Sequence, residues 1–244
     1  MIIASAQLTA RPCDIAANVT TMAGLVAEAA GRGASLVAFP ELAVTGYELD
    51  AVAADPARLA LTPDDPRLDP LREACRATGT AAVVTAPGRP PAPGAGPRIS
   101  AFVYGPDGTP LTRYDKQHVT GKEAAAGFSQ GTGDGRFVLD GVRIGLAICY
   151  DVDFPGIGGR AAADGCALLV ATSLYGSDGG REERARILPA LARDNGLYVL
   201  LANHVGPAGA YVGCGGSGVW GPDGGLLVEG PVAEPGVVTA DVPL

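Results

Sequence analysis

Apolar positions change their period several times along the chain, and each change marks an element. Ile2–Leu8 is a nearly unbroken apolar run, which predicts a short buried strand. Asp14 then supplies an N-cap. Ile15, Val19, Met22, Val26 and Ala29 recur at helical spacing, so a helix is predicted that ends at Gly31 or Gly33. Ala34–Phe39 is the next apolar run, and the order strand, helix, strand predicts a right-handed crossover onto one sheet. Asp65–Gly79 reads as a second helix with Leu68, Leu71, Ala74 and Cys75 on one face and Gly79 as its left-handed stop. Thr80–Ala86 follows as a third strand.

The middle of the chain alternates differently. Gly88–Pro97 is rich in Gly and Pro and reads as a surface loop. Ile99–Tyr104 and Pro110–Lys116 flank Gly105-Pro106-Asp107-Gly108, a turn that predicts an antiparallel hairpin. Arg136–Leu139 and Val142–Ile148 form a second pair around Asp140-Gly141, and Gly218–Trp220 with Leu226–Glu229 form a third around Gly221-Pro222-Asp223-Gly224. Between them come a helix near Gly156–Asp164, a strand at Ala167–Thr172, a helix from about Gly180 to Asn195 and a strand at Leu197–Asn203. Pro189 must kink that last helix or start a new segment. No composition break divides residues 1–244, so one α/β domain is expected.

Composition narrows the function. Of 244 residues 47% are hydrophobic and 18% charged, enough to fill a core and too apolar for a disordered chain. The formal net charge of −8 repels a phosphate backbone, so no nucleic-acid partner is expected. The first ten residues lack a basic leader and no apolar run approaches a membrane span, which predicts a cytoplasmic protein with no membrane partner. Five cysteines without a C-x-x-C pair, and two histidines, fit neither a disulfide framework nor a zinc site. The remaining question is whether one thiol is a nucleophile.

Three polar residues stand beside strand ends: Glu41 after Leu36–Phe39, Lys116 after Leu111–Tyr114 and Cys149 after Ile144–Ile148. Strand ends are where α/β folds assemble sites. A thiol is only a few per cent ionised at neutral pH and needs a base beside it. A carboxylate can serve as that base if it is desolvated, and an ammonium can stabilise the oxyanion formed by attack on a carbonyl.

These residues sit in blocks that resemble the nitrilase superfamily of carbon–nitrogen hydrolases, over Ile2 to about Val238. Leu36-Val37-Ala38-Phe39-Pro40-Glu41 with Thr45-Gly46-Tyr47 is similar to the block of the general base. Tyr114-Asp115-Lys116-Gln117-His118, Glu123 and Phe128-Ser129-Gln130-Gly131 are similar to the lysine block and its second glutamate. Ile144-Gly145-Leu146-Ala147-Ile148-Cys149-Tyr150-Asp151 with Phe154-Pro155 is similar to the nucleophile block. Ala192-Arg193-Asp194-Asn195, Tyr198, Ala202-Asn203 and Gly215-Gly216-Ser217 match weaker landmarks.

The resemblance implies a four-layer αββα sandwich that pairs into homodimers or larger homo-oligomers. It implies Glu41 as general base, Lys116 as oxyanion stabiliser, Cys149 as nucleophile and Glu123 as a supporting carboxylate. The Tyr150 backbone N–H is a second oxyanion donor, and Tyr47, Tyr150, Ser173, Leu174, Tyr175 and His204 are expected around the pocket. His118 is expected to orient the lysine loop, and Asp151 to be a loop or helix cap. No metal or organic cofactor is implied. One departure stands out: where the family often has R-F-P-E, this chain has Asp153-Phe154-Pro155-Gly156.

The expected function is thiol-dependent hydrolysis of a small linear amide or N-carbamoyl compound through a Cys149 acyl-enzyme, with release of ammonia. A nitrilase or an acyltransferase could use the same triad, and a catalytically silent metabolite-binding member is the reading from another class. Such a protein has no need for a buried charge cluster. Gly131-Thr132-Gly133-Asp134-Gly135 suggests a dinucleotide loop, but a strand and not a helix follows it.

Overall fold

Two six-stranded sheets are each wound around three parallel strands, one trio from each half of the chain. The computed structural model describes residues 1–90, 92 and 94–244. The first half runs β1 (Ile2–Gln7), α1 (Ile15–Gly31), β2 (Leu36–Ala38), the short helices α2 (Leu49–Ala54) and α3 (Pro56–Leu59), α4 (Asp69–Thr78), β3 (Ala81–Gly88), β4 (Arg98–Tyr104) and β5 (Pro110–Asp115). After α5 (Gly121–Ala125), the second half runs β6 (Gly135–Leu139), β7 (Val142–Ile148), α6 (Pro155–Ala163), β8 (Leu168–Ser173), α7 (Gly180–Asn195) and β9 (Tyr198–Asn203). The hairpin β10 (Val205–Ala208) and β11 (Tyr211–Cys214), then β12 (Gly218–Trp220), β13 (Leu226–Glu229) and β14 (Gly236–Asp241) complete it.

The strand orders are β14-β1-β2-β3-β4-β5 and β6-β7-β8-β9-β12-β13, so the two sheets repeat one plan. Each has an antiparallel edge strand, a parallel trio joined by helices, and an antiparallel pair. Strand periodicity explains the layering. Along β8, Leu168 and Val170 join the core between the sheets, whereas Leu169 and Ala171 join a second core under α6 and α7. Helix α1 lays Val19, Met22 and Val26 on the outer face of the first sheet. The result is an αββα sandwich whose central parallel strands are buried on both faces, whereas the outer strands β5 and β13 are only partly buried.

Local signals act as the sequence predicts at several boundaries. The Asp14 carboxylate accepts the Ala17 N–H at 3.0 Å and caps α1. Asp140 and Gly141 both have positive φ, 51° and 81°, which gives the two-residue turn its fit to the right-handed twist of β6 and β7.

Elsewhere the structure differs. The expected helix Asp65–Gly79 is split into a 3-10 turn, Pro66–Leu68, and α4, because Pro66 and Pro70 each open a helical segment. Pro189 neither starts a segment nor ends one, since α7 runs through it from Gly180 to Asn195. The sequence reading missed α2, α3, α5, the β10–β11 hairpin and β14. Within the Gly88–Pro97 loop, Gly88 closes β3, and Pro91 and Pro93 lie outside the described residues. Among the described residues no helix is long and apolar enough to cross a membrane.

Candidate active site

The turn after β2 brings Glu41 to the interface of the two sheets. Its backbone is pinned from the second half of the chain: its N–H reaches Ser173 O at 3.4 Å, and its carbonyl accepts His204 Nε2–H at 2.5 Å. Thr85 Oγ1 donates to the Pro40 carbonyl and holds the turn from β3. Lys116 follows β5 directly, with its N–H on Ile99 O at 2.8 Å and its carbonyl accepting the Gly131 N–H at 2.7 Å. Cys149 ends β7 with φ of 48°, a left-handed conformation that costs a non-glycine residue about 1–3 kcal/mol. The chain enters a 3-10 turn there, Cys149–Asp153, which lifts the thiol out of the sheet.

Three strand ends from two sheets therefore converge. Glu41, Lys116 and Glu123 are all fully buried. The Lys116 ammonium donates to Glu41 Oε1 at 2.7 Å and to Glu123 Oε1 at 2.6 Å. Glu123 is fixed by more than the lysine. Tyr47 Oη–H donates to its Oε1 at 2.5 Å, and the Thr120 N–H donates to its Oε2 at 2.7 Å. Thr120 Oγ1 accepts the Glu123 N–H in return, so a capping box at the start of α5 doubles as the mount of a site carboxylate.

The electrostatics follow from burial. Desolvation pushes the Glu41 carboxyl up to about 7, with Lys116 pulling it down and Glu123 pushing it up. Burial works against the Lys116 charge, but Glu41, Cys149 and Glu123 together hold it firmly protonated. Burial and the Glu41 charge raise the Cys149 thiol, with Lys116 opposing. The resting sulfur is thus a thiol and not a thiolate. Glu41 Oε2 has no hydrogen-bond partner among the described residues, and Cys149 is one of the groups acting on that carboxylate. The cluster holds a proton acceptor that titrates near neutral pH beside a protonated thiol.

Asp151 ties the turn at Cys149 to the loop after Lys116. It is fully buried, and its Oδ2 accepts Tyr114 Oη–H at 2.6 Å and the Ile148 N–H at 3.0 Å. Its Oδ1 accepts the His118 N–H at 2.9 Å and faces His118 Nδ1 at 3.0 Å. His118 also stacks on Phe154, with ring centroids 3.6 Å apart. Asp151 caps the 3-10 turn through the Ile148 N–H, and His118, two residues after Lys116, is bonded to the same carboxylate, a link that the sequence did not announce.

The expected pocket residues divide into two groups. Tyr150, Leu174 and Tyr175 line a cavity of about 270 Å³ that opens on Cys149, and Tyr47 lines an adjoining depression that also reaches the thiol. Ser173 and His204 are fully buried and line neither. They stand under the floor and hold the Glu41 backbone. Burial keeps His204 below the usual imidazole range, so it is neutral and donates to the Glu41 carbonyl. Asn203 holds the Tyr175 N–H at 2.7 Å and the Gly215 carbonyl at 2.8 Å, fixing one wall of the cavity. Sequence reasoning missed Thr120, Lys122 and Tyr211 at the mouth. Only Thr120 had a signal, the T-x-x-E spacing to Glu123.

A family model described as carbon-nitrogen hydrolase matches residues 2–244. An omega-amidase of Bos taurus is 30% identical over 93% of this chain and 83% of its own length. An (R)-stereoselective amidase of a Pseudomonas species is 30% identical over 94% of this chain and 80% of its own length. Among solved structures, an amidase of Nesterenkonia sp. AN1 with butyramide bound has TM-score 0.89 and 34% identity, covering all of this chain and 91% of that one. A mutant of that amidase carries acrylamide added at its active-site cysteine, again with TM-score 0.89 and 34% identity.

Proposed function

Because the chain belongs to the carbon–nitrogen hydrolase family and is an enzyme of that class, we propose that it hydrolyses a small primary amide through a Cys149 acyl-enzyme, releasing ammonia. One observation carries this reading: a buried Glu41–Lys116–Glu123 chain of charges lies beside a cysteine held on a strained turn. A binding protein has no use for three desolvated charges that cost several kcal/mol each to bury.

In the proposed reaction the carbonyl carbon of the amide sits over Cys149. Glu41 takes the thiol proton as sulfur attacks, which its position near 7 allows at neutral pH. Negative charge then grows on the substrate oxygen. The Lys116 ammonium stabilises it, together with the Tyr150 N–H, which lies in the first turn of the 3-10 segment where backbone donors lack an intrahelical acceptor. When the tetrahedral adduct collapses, the C–N bond breaks and Glu41 returns its proton to the departing nitrogen. A water then attacks the thioester carbon while Glu41 takes its proton; the C–S bond breaks, Glu41 gives that proton to the departing Cys149 sulfur, and the carboxylic acid leaves. Glu123 holds Lys116 between two carboxylates throughout, and Tyr47 and Thr120 hold Glu123.

The amidases similar to this chain support an amide over a nitrile, since butyramide and acrylamide are the compounds described with the Nesterenkonia protein. The same reading includes a homodimer, and sedimentation at micromolar concentration that shows only monomer removes that part. The activity test is ammonia release from short aliphatic amides together with intact-mass detection of an acyl adduct on Cys149. An adduct that persists in Cys149→Ala, or hydrolysis at full rate without this thiol, overturns the proposal.

A further inference from the structure

Two depressions meet at Cys149 and share Thr120, Leu174 and Tyr211. Their charges are opposite. The one past Tyr47 has Lys122 as its charged side chain. The other, of about 270 Å³, runs between the Cys149–Asp153 turn and the start of α7 and is walled by Asp153, Asp178 and Glu183, with no Lys or Arg lining it among the described residues.

Asp153 and Glu183 come from different elements onto this one wall, and neither forms a salt bridge among the described residues. They are near enough to feel each other: partial desolvation first and the Glu183 charge second hold the Asp153 carboxyl above its ordinary range, with Arg186 and Lys116 opposing. An acid in the first turn of a helix is often there for the helix dipole. Glu182, the other first-turn acid of α7, lies off the cavity wall, whereas Glu183 is on it. The cavity is independently marked as one that receives a ligand. Cys149 lines it, and the fully buried Glu41 that acts on this thiol has no hydrogen-bond partner on Oε2 among the described residues. Two carboxylates on a wall that no Lys or Arg shares among the described residues repel each other beyond what Arg186 and Lys116 offset, and a positively charged occupant lowers that cost.

We propose that this lobe selects amides whose far end carries a cation, an ammonium or a guanidinium, which Asp153 and Glu183 hold while the carboxamide lies on Cys149. The chemistry rests on the amidase reading above; the charge preference rests on the wall.

The probes are three primary amides of matched chain length: δ-aminovaleramide, hexanamide and adipamate, which end in a cation, a methyl group and an anion. Wild-type kcat/KM should favour δ-aminovaleramide over hexanamide on the order of fivefold at low salt, mostly through KM, with adipamate last. High salt should shrink the ratio. Asp153→Asn and Glu183→Gln should each bring the ratio of cationic to neutral amide toward one. A wild-type ratio at or below one overturns the proposal, and so does a ratio unchanged in both variants. If Glu183 serves only the helix, Glu183→Gln lowers Tm and leaves the ratio intact, which also counts against it. If none of the three amides turns over, the amidase reading fails by itself. Calorimetric titration of the same compounds onto Cys149→Ala then still reads the wall: tighter binding of the cation supports the proposal, and equal or weaker binding overturns it.

Discussion

The floor of the site and its rim are built from the same kinds of charged side chain and hold them in opposite ways. On the floor, Glu41, Lys116 and Glu123 are fully buried, and every charge is tied to another at 2.6–2.7 Å. On the rim, Asp153, Glu183 and Lys122 are exposed and none is tied in a salt bridge among the described residues. Removing water makes the floor interactions strong and their geometry fixed, and it moves the Glu41 carboxyl into the working range. Water at the rim screens each charge, so a rim residue can bias which substrate enters but cannot do chemistry. In the proposed mechanism catalysis and selectivity are therefore separated by depth.

Mutations that break this division have graded consequences. The largest effect is expected for Glu41→Gln, which removes the proton acceptor and leaves size unchanged: kcat should fall on the order of a thousandfold or more, checked by initial-rate ammonia release. Near-normal turnover would mean that depth does not mark the catalytic groups. Lys116→Met comes next. It should cost on the order of a hundredfold or more in kcat and, by stranding two buried carboxylates, about 3 kcal/mol of stability in denaturant unfolding. Stability unchanged within about 0.5 kcal/mol would show the floor to be wetter than its burial indicates.

Glu123→Gln sharpens the comparison through pH. Glu123 raises the Glu41 carboxyl, so neutralising it lets Glu41 ionise at lower pH. Wild-type kcat/KM should rise with pH through about 7, as Glu41 loses its proton in the free enzyme, and the variant should rise earlier. A limb that stays in place, or moves to higher pH, contradicts the coupling. The smallest effect belongs to Lys122→Ala. Its ammonium lies 4.5 Å from the Tyr211 ring centroid at the rim. A change of about threefold or less in KM, with kcat kept, is expected for so exposed a contact. A large loss of kcat would move Lys122 from the rim to the floor.

The chemistry-bearing strand ends were legible because β1, β2, β3, β7, β8 and β9 are apolar runs that stop at a polar residue, and Glu41 and Cys149 each follow such a stop. What was not legible is short or distant. Helices α2, α3 and α5 have six, four and five residues, too few to show a helical period. Strand β14 takes its place by pairing antiparallel with β1, Ile2 opposite Asp241, a contact that no local pattern announces. His204 illustrates the same limit. It was legible as a polar residue past a strand end, but its task is the Glu41 carbonyl, 163 positions away.

By itself the sequence determined which residues could form most of the strands and helices, because periodicity, caps and turn residues are properties of neighbours along the chain, and its resemblance to carbon–nitrogen hydrolases marked the blocks of Glu41, Lys116 and Cys149 as the ones to examine. Only the tertiary structure decided that Glu41 and Glu123 share one ammonium, that Asp151 ties the turn at Cys149 to the loop after Lys116, and that Asp153 and Glu183 meet on one wall. Those relations join the turn after β2, the segment after β5, the end of β7 and the start of α7. Their energies depend on distance and on the water excluded between the two sheets, quantities that exist only once the sheets have packed.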